Sequence, residues 1–482
     1  MRIDIVLVAR WLLELTLLSV LLAAALKAVN QRSISLITAA SFGLRIVLGQ
    51  ALYLVSLLSL PVAQSLQTPG GFWQFSTDAP VYHEEGLAAA HVLLGQGTTY
   101  SGLIHPFSWV IGGTYVLFGA TPSAVLLLNA LFAAACVPLA YLAARWSDLS
   151  NRGATIVAAI VAFWPSSFAW SSQLLRDPLQ WLAIFSLLAS AAFLLRACAR
   201  PATASGRGLA LASVAALLAA GLTAWLRGAY ESPAWVLAVT LGTVLQVSLL
   251  AWRAARNPPG DPTQSKTSWA RRGVPAALLI VAVVVGSLPA TGTIQDEVTP
   301  SAAAPEVVTS CRPFRSLIGA RAFYIQSGGG SLIDVPAQFA SCQDVLAYVP
   351  RALALALLAP FPRDWLRPGT ATGNAARFSA IDAALLWLLF PGLAAGLVRA
   401  IWRPAGTELV LAIYAVVLAF VLGFAVANFG TLFRLRLQII LPAILLAVRG
   451  WQLLVDWLLR RVPPSRRSAK QVSVPTLSRS GG

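Results

Sequence analysis

The chain has 482 residues, 57% of them hydrophobic and only 11% charged, with a mean hydropathy of +0.73. Apolar runs of about 20 residues, the length a helix needs to cross ~30 Å of hydrocarbon, recur from end to end, which excludes a soluble protein carrying one anchor. The net charge of +17 does not point to nucleic acid, because the basic residues sit in short segments between apolar runs. They are Lys27 and Arg32; Arg145 and Arg152; Arg196, Arg200 and Arg207; then Arg253, Arg256, Lys266, Arg271 and Arg272; Arg399 and Arg403; and a tail from Arg460 to Arg479. Such segments mark cytoplasmic loops, and almost every second loop is basic.

In chain order the apolar runs predict spans at 11–26, 45–65, 122–144, 153–170, 178–196, 208–226, 233–252, 274–290, 381–399, 407–426 and 433–456, an all-α polytopic bundle of about 11 helices. Arg10 and Glu14 flank or interrupt the first run, which leaves an interfacial helix as its alternative. No small-residue cleavage site follows it, so a cleaved signal peptide is not expected. The chain divides into N-terminal helices (1–66), a first outer loop (67–121), a transmembrane core (122–290), a second outer loop (291–380), C-terminal helices (381–459) and a basic cytoplasmic tail (460–482). Residues 61–121 contain no Lys or Arg, yet hold Asp78, Glu84, Glu85 and all three histidines, His83, His91 and His105. Within the second loop, VLAYVPRALALALLAPFP (345–362) is too short to span comfortably and reads as an interfacial or re-entrant helix. Cys311 and Cys342 share that loop. A disulfide between them would stabilise it by roughly 3–4 kcal/mol and imply an oxidising compartment; the alternative is two reduced thiols.

The stretch STDAPVYHEEG (76–86) concentrates acid in an apolar chain. Pro80 suits a first helical turn and Gly95 a helix end, so 80–94 reads as a short helix outside the membrane with Asp78 at its mouth. There the helix dipole favours a carboxylate, the state required of a base that takes a proton from a hydroxyl. Glu84 and Glu85 read first as acids stabilising a helix start, with acceptor or sugar contacts as their alternative. His83 and His105 are further candidate contacts, although His105 before Pro106 also has a structural reading.

The pattern TDAPVYHEEGLAAAHVLLGQG, followed by HPFSWVIGGTYVLFGATPSAVLLLNALFAAACVPLAYLAAR, resembles the first outer loop of the C-type membrane glycosyltransferases. The shared features are an acidic residue after an early helix (Asp78), an Ala/Gly-rich helix, a His-Pro element (His105-Pro106), a Phe-Gly turn (Phe118-Gly119) and Asn129 near a helix start. SSQLLRDPLQWLAIF (171–185) is similar to the second acidic position of that superfamily, here Asp177. FGTLFRLRLQIILPAILL (429–446) is similar to its late Gly-Thr, Arg-x-Arg, Pro segment. APFPRDW (359–365) is also similar, with Arg363 where an aromatic is expected. The nearest groups are bacterial polyprenyl-phosphate-sugar-dependent enzymes, protein-mannosyltransferase-like and Rgt-like. One departure is Ala79, where the family often has a second adjacent carboxylate.

The resemblance implies transfer of a sugar from a polyprenyl-phosphate donor to a hydroxyl of a glycan, lipid or protein acceptor, with inversion, on the periplasmic or extracellular side of a bacterial plasma membrane. Asp78 would be the base and Asp177 its support. Arg434 and Arg436 lie at an outer helix end against the positive-inside trend and would hold the departing phosphate; Arg227 and Arg351 are further outer candidates. Asp177 before Pro178 also reads as an ordinary helix start. No cofactor is expected. A divalent ion shared by Asp78, Asp177, His83 and His91 is the alternative, but their spacing matches no zinc signature. The basic tail suits anionic lipid. Two other functions stay open: a polymerase or ligase using polyprenyl-pyrophosphate glycans, which would centre on an outer-loop arginine or histidine, and a transporter, which needs ionisable groups near the midplane.

Overall fold

The computed structural model describes residues 5–98, 100–201, 204–226, 231–256, 262–288, 311–326, 332–365, 371–402 and 407–461. Among the described residues its regular structure is helical apart from one two-stranded hairpin and an isolated bridge between Leu332 and Asn428. Two N-terminal helices, α1 (Ile5–Val29) and α2 (Arg32–Leu57), are followed by strands β1 (Gln67–Thr68) and β2 (Phe72–Trp73) and the helices α3 (Asp78–Leu93) and α4 (Pro106–Phe118). The central group is α5 (Pro122–Trp146), α6 (Asn151–Ala162), α7 (Pro165–Ser171), α8 (Asp177–Ala199), α9 (Gly206–Leu226), α10 (Glu231–Arg256) and α11 (Pro262–Ser287). After them come α12 (Arg315–Gln326), α13 (Cys342–Leu358), α14 (Ala371–Trp402), α15 (Glu408–Ala425), α16 (Phe429–Leu435) and α17 (Leu437–Arg461).

Among the described residues nine helices are long and apolar enough to cross a membrane: α1, α2, α5, α8, α9, α10, α14, α15 and α17. The pair α6–α7 qualifies as one span bent by 46°, and the apolar part of α11 is shorter, Gly273–Ser287. These segments fall on the runs expected from sequence, which makes the chain a polytopic membrane protein. Helices α5, α8, α15 and α17 are mostly buried, whereas α1 and α2 present most of their leucines and valines outward, as lipid-facing helices do. Close approach relies on small residues, since lipid tails offer no hydrophobic drive between helices. At the α14–α17 crossing a Cβ on Gly450 would lie 1.8 Å from the Gly392 carbonyl oxygen.

Two expected boundaries shift for physical reasons. The second span begins at Arg32 and ends at Leu57, because Arg45 is inside the bundle and not at its edge. The run 153–170 breaks at Pro165, whose missing N–H cannot continue a helix. Arg45 fills that break. It donates to the Ala162 carbonyl at 3.1 Å, the Ser167 carbonyl at 2.7 Å and the hydroxyls of Ser167 and Ser171, so backbone oxygens freed by the bend are satisfied without water. Asp382 of α14 caps the other side, accepting from the Ser166 amide at 3.0 Å and the Trp164 indole at 2.7 Å.

The basic segments meet at one end of the bundle, where Arg196 donates to the Arg145 carbonyl and Arg399 and Arg449 both pair with Glu408. The opposite end carries the β-hairpin, α3 and α4. Gly70 and Gly71 turn the hairpin with φ of 87° and 89°, a region open to glycine at no steric cost. Helices α3 and α4 touch at Gly86 and Gly112, where a Cβ on Gly112 would lie 2.9 Å from the Ala90 amide nitrogen. The second loop packs on the end of α15: the Ile333 amide donates to the Ala427 carbonyl at 2.8 Å, and Arg321 donates to the carbonyls of Phe424, Ile333 and Asp334. Cys311 and Cys342 form a disulfide there.

Candidate active site

Three segments far apart in sequence converge at the end of the bundle that bears the two loops, and each is held by local chemistry. The first residue of α3 is Asp78. Its approach is anchored to α2, where the Ser56 hydroxyl donates to the Thr68 and Phe72 carbonyls and the Trp73 indole donates to Leu52. Asp177 opens α8, with Pro178 behind it suited to a first turn. The strand of chain before it is pinned by Asn129, whose amide donates to the carbonyls of Gln173 at 2.8 Å and Leu175 at 3.1 Å, and by Arg176, which donates to Leu226. Arg434 rides on α16, a helix started by the Asn428 side chain accepting from the amides of Gly430 and Thr431.

Arg434 joins the two carboxylates. Its Nη1 donates to Asp78 Oδ2 at 2.7 Å, and its Nε stands 3.4 Å from Asp177 Oδ2. Side-chain exposure separates their roles: Asp78 is 39% exposed, Arg434 15% and Asp177 2%. Only Asp78 opens freely to a bound molecule, while Asp177 is a buried counter-charge beneath the guanidinium. An accessible carboxylate beside a guanidinium can take a proton and hold an oxyanion in one place.

Two neighbours escaped the sequence reading. Trp170 stands between the Asp78 and Arg434 segments, with ring centroids 6.2 Å from Phe75 and 5.9 Å from Phe433. Gln180 is one turn along α8 from Asp177. Among the described residues, the Trp170 indole nitrogen, both amide atoms of Gln180 and the Ser76 hydroxyl are buried with no hydrogen-bond partner. Such groups are costly to leave unmade. The position of Gln180 three residues after Asp177 was the one available signal, since it puts both on one helical face.

The other candidates make other contacts. Arg436, two residues beyond Arg434, is buried, donates to the Ala359 carbonyl and lies within electrostatic reach of Asp382; it supports the turn at 359–360. Arg351 grips Asp334 in a bidentate pair at 2.8 and 3.0 Å. That fork, with a hydrogen bond from Tyr348, holds the Asp334 carboxyl below its usual range and outweighs its partial burial, while burial pushes Tyr348 up to about 12. Arg227 lies outside the described residues. Glu85 is buried and ties the first loop together: it accepts from Ser108 at 2.6 Å, the His105 amide at 3.0 Å and Tyr100 at 3.2 Å, and pairs with the His105 ring at 2.7 Å. Burial alone would raise the Glu85 carboxyl, but these hydrogen bonds win and hold it below its usual value. His83 pairs with the Tyr115 hydroxyl at 2.7 Å, and burial lowers its imidazole. Glu84 and His91 are exposed on α3. Among the described residues no three His, Cys, Asp or Glu side chains group closely enough to hold a metal ion.

Residues 81–255 match a family model described as dolichyl-phosphate-mannose-protein mannosyltransferase. The matched segment contains Asp177 and begins three residues after Asp78. No curated protein matches the chain. Among solved structures it is similar to the apo oligosaccharyltransferase of Archaeoglobus fulgidus, at 15% identity and a TM-score of 0.40. The alignment covers 89% of this chain and 52% of that one, so the chain spans about half the length of that relative.

Proposed function

We propose that this protein is an integral-membrane glycosyltransferase that moves a sugar from a polyprenyl-phosphate donor to an acceptor hydroxyl, with inversion, at the non-cytoplasmic face. The observation that carries the reading is Arg434 bridging an exposed Asp78 and a buried Asp177, at the end of the bundle remote from the basic segments. The match of residues 81–255 to a family acting on a lipid-phosphate sugar supports the donor class.

In this mechanism Asp78 accepts the proton of the acceptor hydroxyl, whose oxygen attacks the anomeric carbon. The bond from that carbon to the phosphate oxygen breaks, and its electron pair leaves with the lipid phosphate. Arg434 swings part of its fork from Asp78 to that phosphate, so its charge meets negative charge as it develops. Asp177 stays behind as the counter-ion that keeps the guanidinium in position.

Purified protein supplied with polyprenyl-phosphate sugars and, separately, nucleotide sugars tests the assignment. The expected product arises from the lipid donor alone and has an anomeric configuration opposite to the donor's, read by NMR. Transfer from the nucleotide sugar in preference, or retained configuration, contradicts it.

A further inference from the structure

At the basic end of the bundle, opposite the Asp78 site, α6, α14 and α17 enclose an open cavity of about 900 Å³. Arg145, Arg196 and Arg449 line it, with Asp148 and Asp456. The arginines are oriented in advance: Arg145 donates to the Leu149 carbonyl at 2.7 Å, Arg196 to the Arg145 carbonyl at 2.7 Å, and Arg449 pairs with Glu408 at 3.0 Å. The lining carries three guanidiniums and two carboxylates, and behind it Arg200 pairs with Asp148 and Arg399 with Glu408. That excess of positive charge stands on the rim of an otherwise apolar bundle.

The shape of the cavity narrows the choice of anion. From the arginine rim it continues along Ile156 and Ile160 of α6 and Leu389 of α14. Ile160 is nine residues into the helix that starts at Asn151, which places it about 14 Å from the mouth. Ile156 is exposed on the outer surface of the bundle. A polar, cationic mouth leading to an apolar floor open at the side matches a molecule with a phosphate at one end and a hydrocarbon chain at the other. Free phosphate would satisfy the mouth and leave the floor unused.

We infer that this cavity is a binding site for an anionic phospholipid, whose phosphate meets Arg145, Arg196 and Arg449 while an acyl chain lies along Ile156, Ile160 and Leu389. The site is separate from the sugar-transfer reading and stands or falls without it. Bound there, a lipid would add contacts to three helices lining one cavity, and its contribution would be to bundle stability.

The full chain in a neutral detergent, titrated with phosphatidylglycerol, phosphatidylcholine or inorganic phosphate and followed by native mass spectrometry, tests the inference. Phosphatidylglycerol is expected to bind about tenfold more tightly than phosphatidylcholine, and less tightly as salt rises. The double variant Arg145→Gln/Arg196→Gln is expected to lose about tenfold in that affinity. Those arginines also hold helix ends, so Asp456→Asn provides a second arm: removing a lining carboxylate is expected to tighten phosphatidylglycerol binding by about threefold. Equal binding of the two lipids, or no tightening in Asp456→Asn, overturns the inference. So does inorganic phosphate competing away the lipid at similar concentration, since the site then recognises a free anion.

Discussion

Replacing Arg434 by Gln separates what this residue does for the fold from what it does for chemistry. The change removes one guanidinium from beside Asp177, whose side chain is 2% exposed, and breaking a buried ion pair costs about 3–5 kcal/mol. Asp78 is 39% exposed and returns to water at little cost. Nearly all the loss of stability therefore runs through Asp177, and Arg434→Gln/Asp177→Asn should recover most of it. The coupling between the two sites should then be about 2 kcal/mol or more. Activity should not recover, because the cation facing the departing phosphate is still missing; a loss of one such stabilising group is about 10²–10³-fold in kcat. Unfolding in detergent followed by tryptophan fluorescence gives the first quantity, and transfer from a polyprenyl-phosphate sugar gives the second. Arg434→Gln melting with wild type, or a double variant that regains transfer, would refute the assignment of roles.

Three further outcomes follow from the packing. Glu85→Gln weakens the charge-assisted bonds to Ser108, His105 and Tyr100 and should cost about 1–3 kcal/mol, seen as faster hydrogen exchange over residues 97–108. Because the Glu85 carboxyl is held below its usual value, its contribution is present above the unfolded-state value and is lost as pH falls through the lower folded value; wild type should loosen there in acid and the Gln variant should show no such step. Arg45→Leu leaves the Ala162 and Ser167 carbonyls without their donor, a loss of about 2–5 kcal/mol visible as a lower melting temperature. Reducing the Cys311–Cys342 bridge, or replacing both cysteines by Ser, should cost roughly 3–4 kcal/mol in the second loop, detected by limited proteolysis.

The spans were legible because each apolar run needs only composition to be seen. Arg45 was misread as a boundary because its partners are hydroxyls and carbonyls 117 to 126 residues away, and no local pattern announces them. Asp78 stood out as acid in an apolar chain, Arg434 as a charge against the positive-inside trend and Asp177 through the resemblance, but the separation of 356 between Asp78 and Arg434 hides their contact. Arg434 and Arg436 look equivalent in FRLRL, and only the fold sends one to the carboxylates and the other to Ala359. Trp170 reads in sequence as one more interfacial aromatic. What distinguishes it is an indole nitrogen buried with no partner among the described residues, a property of the assembled fold.

The claim that Asp78 is the proton acceptor is tested most directly by single-turnover transfer in Asp78→Asn, with donor binding measured on the same preparation. The account predicts a rate reduced by about 10²-fold or more with donor affinity within about threefold of wild type. A rate that survives the substitution, or a loss wholly accounted for by weaker donor binding, would contradict it.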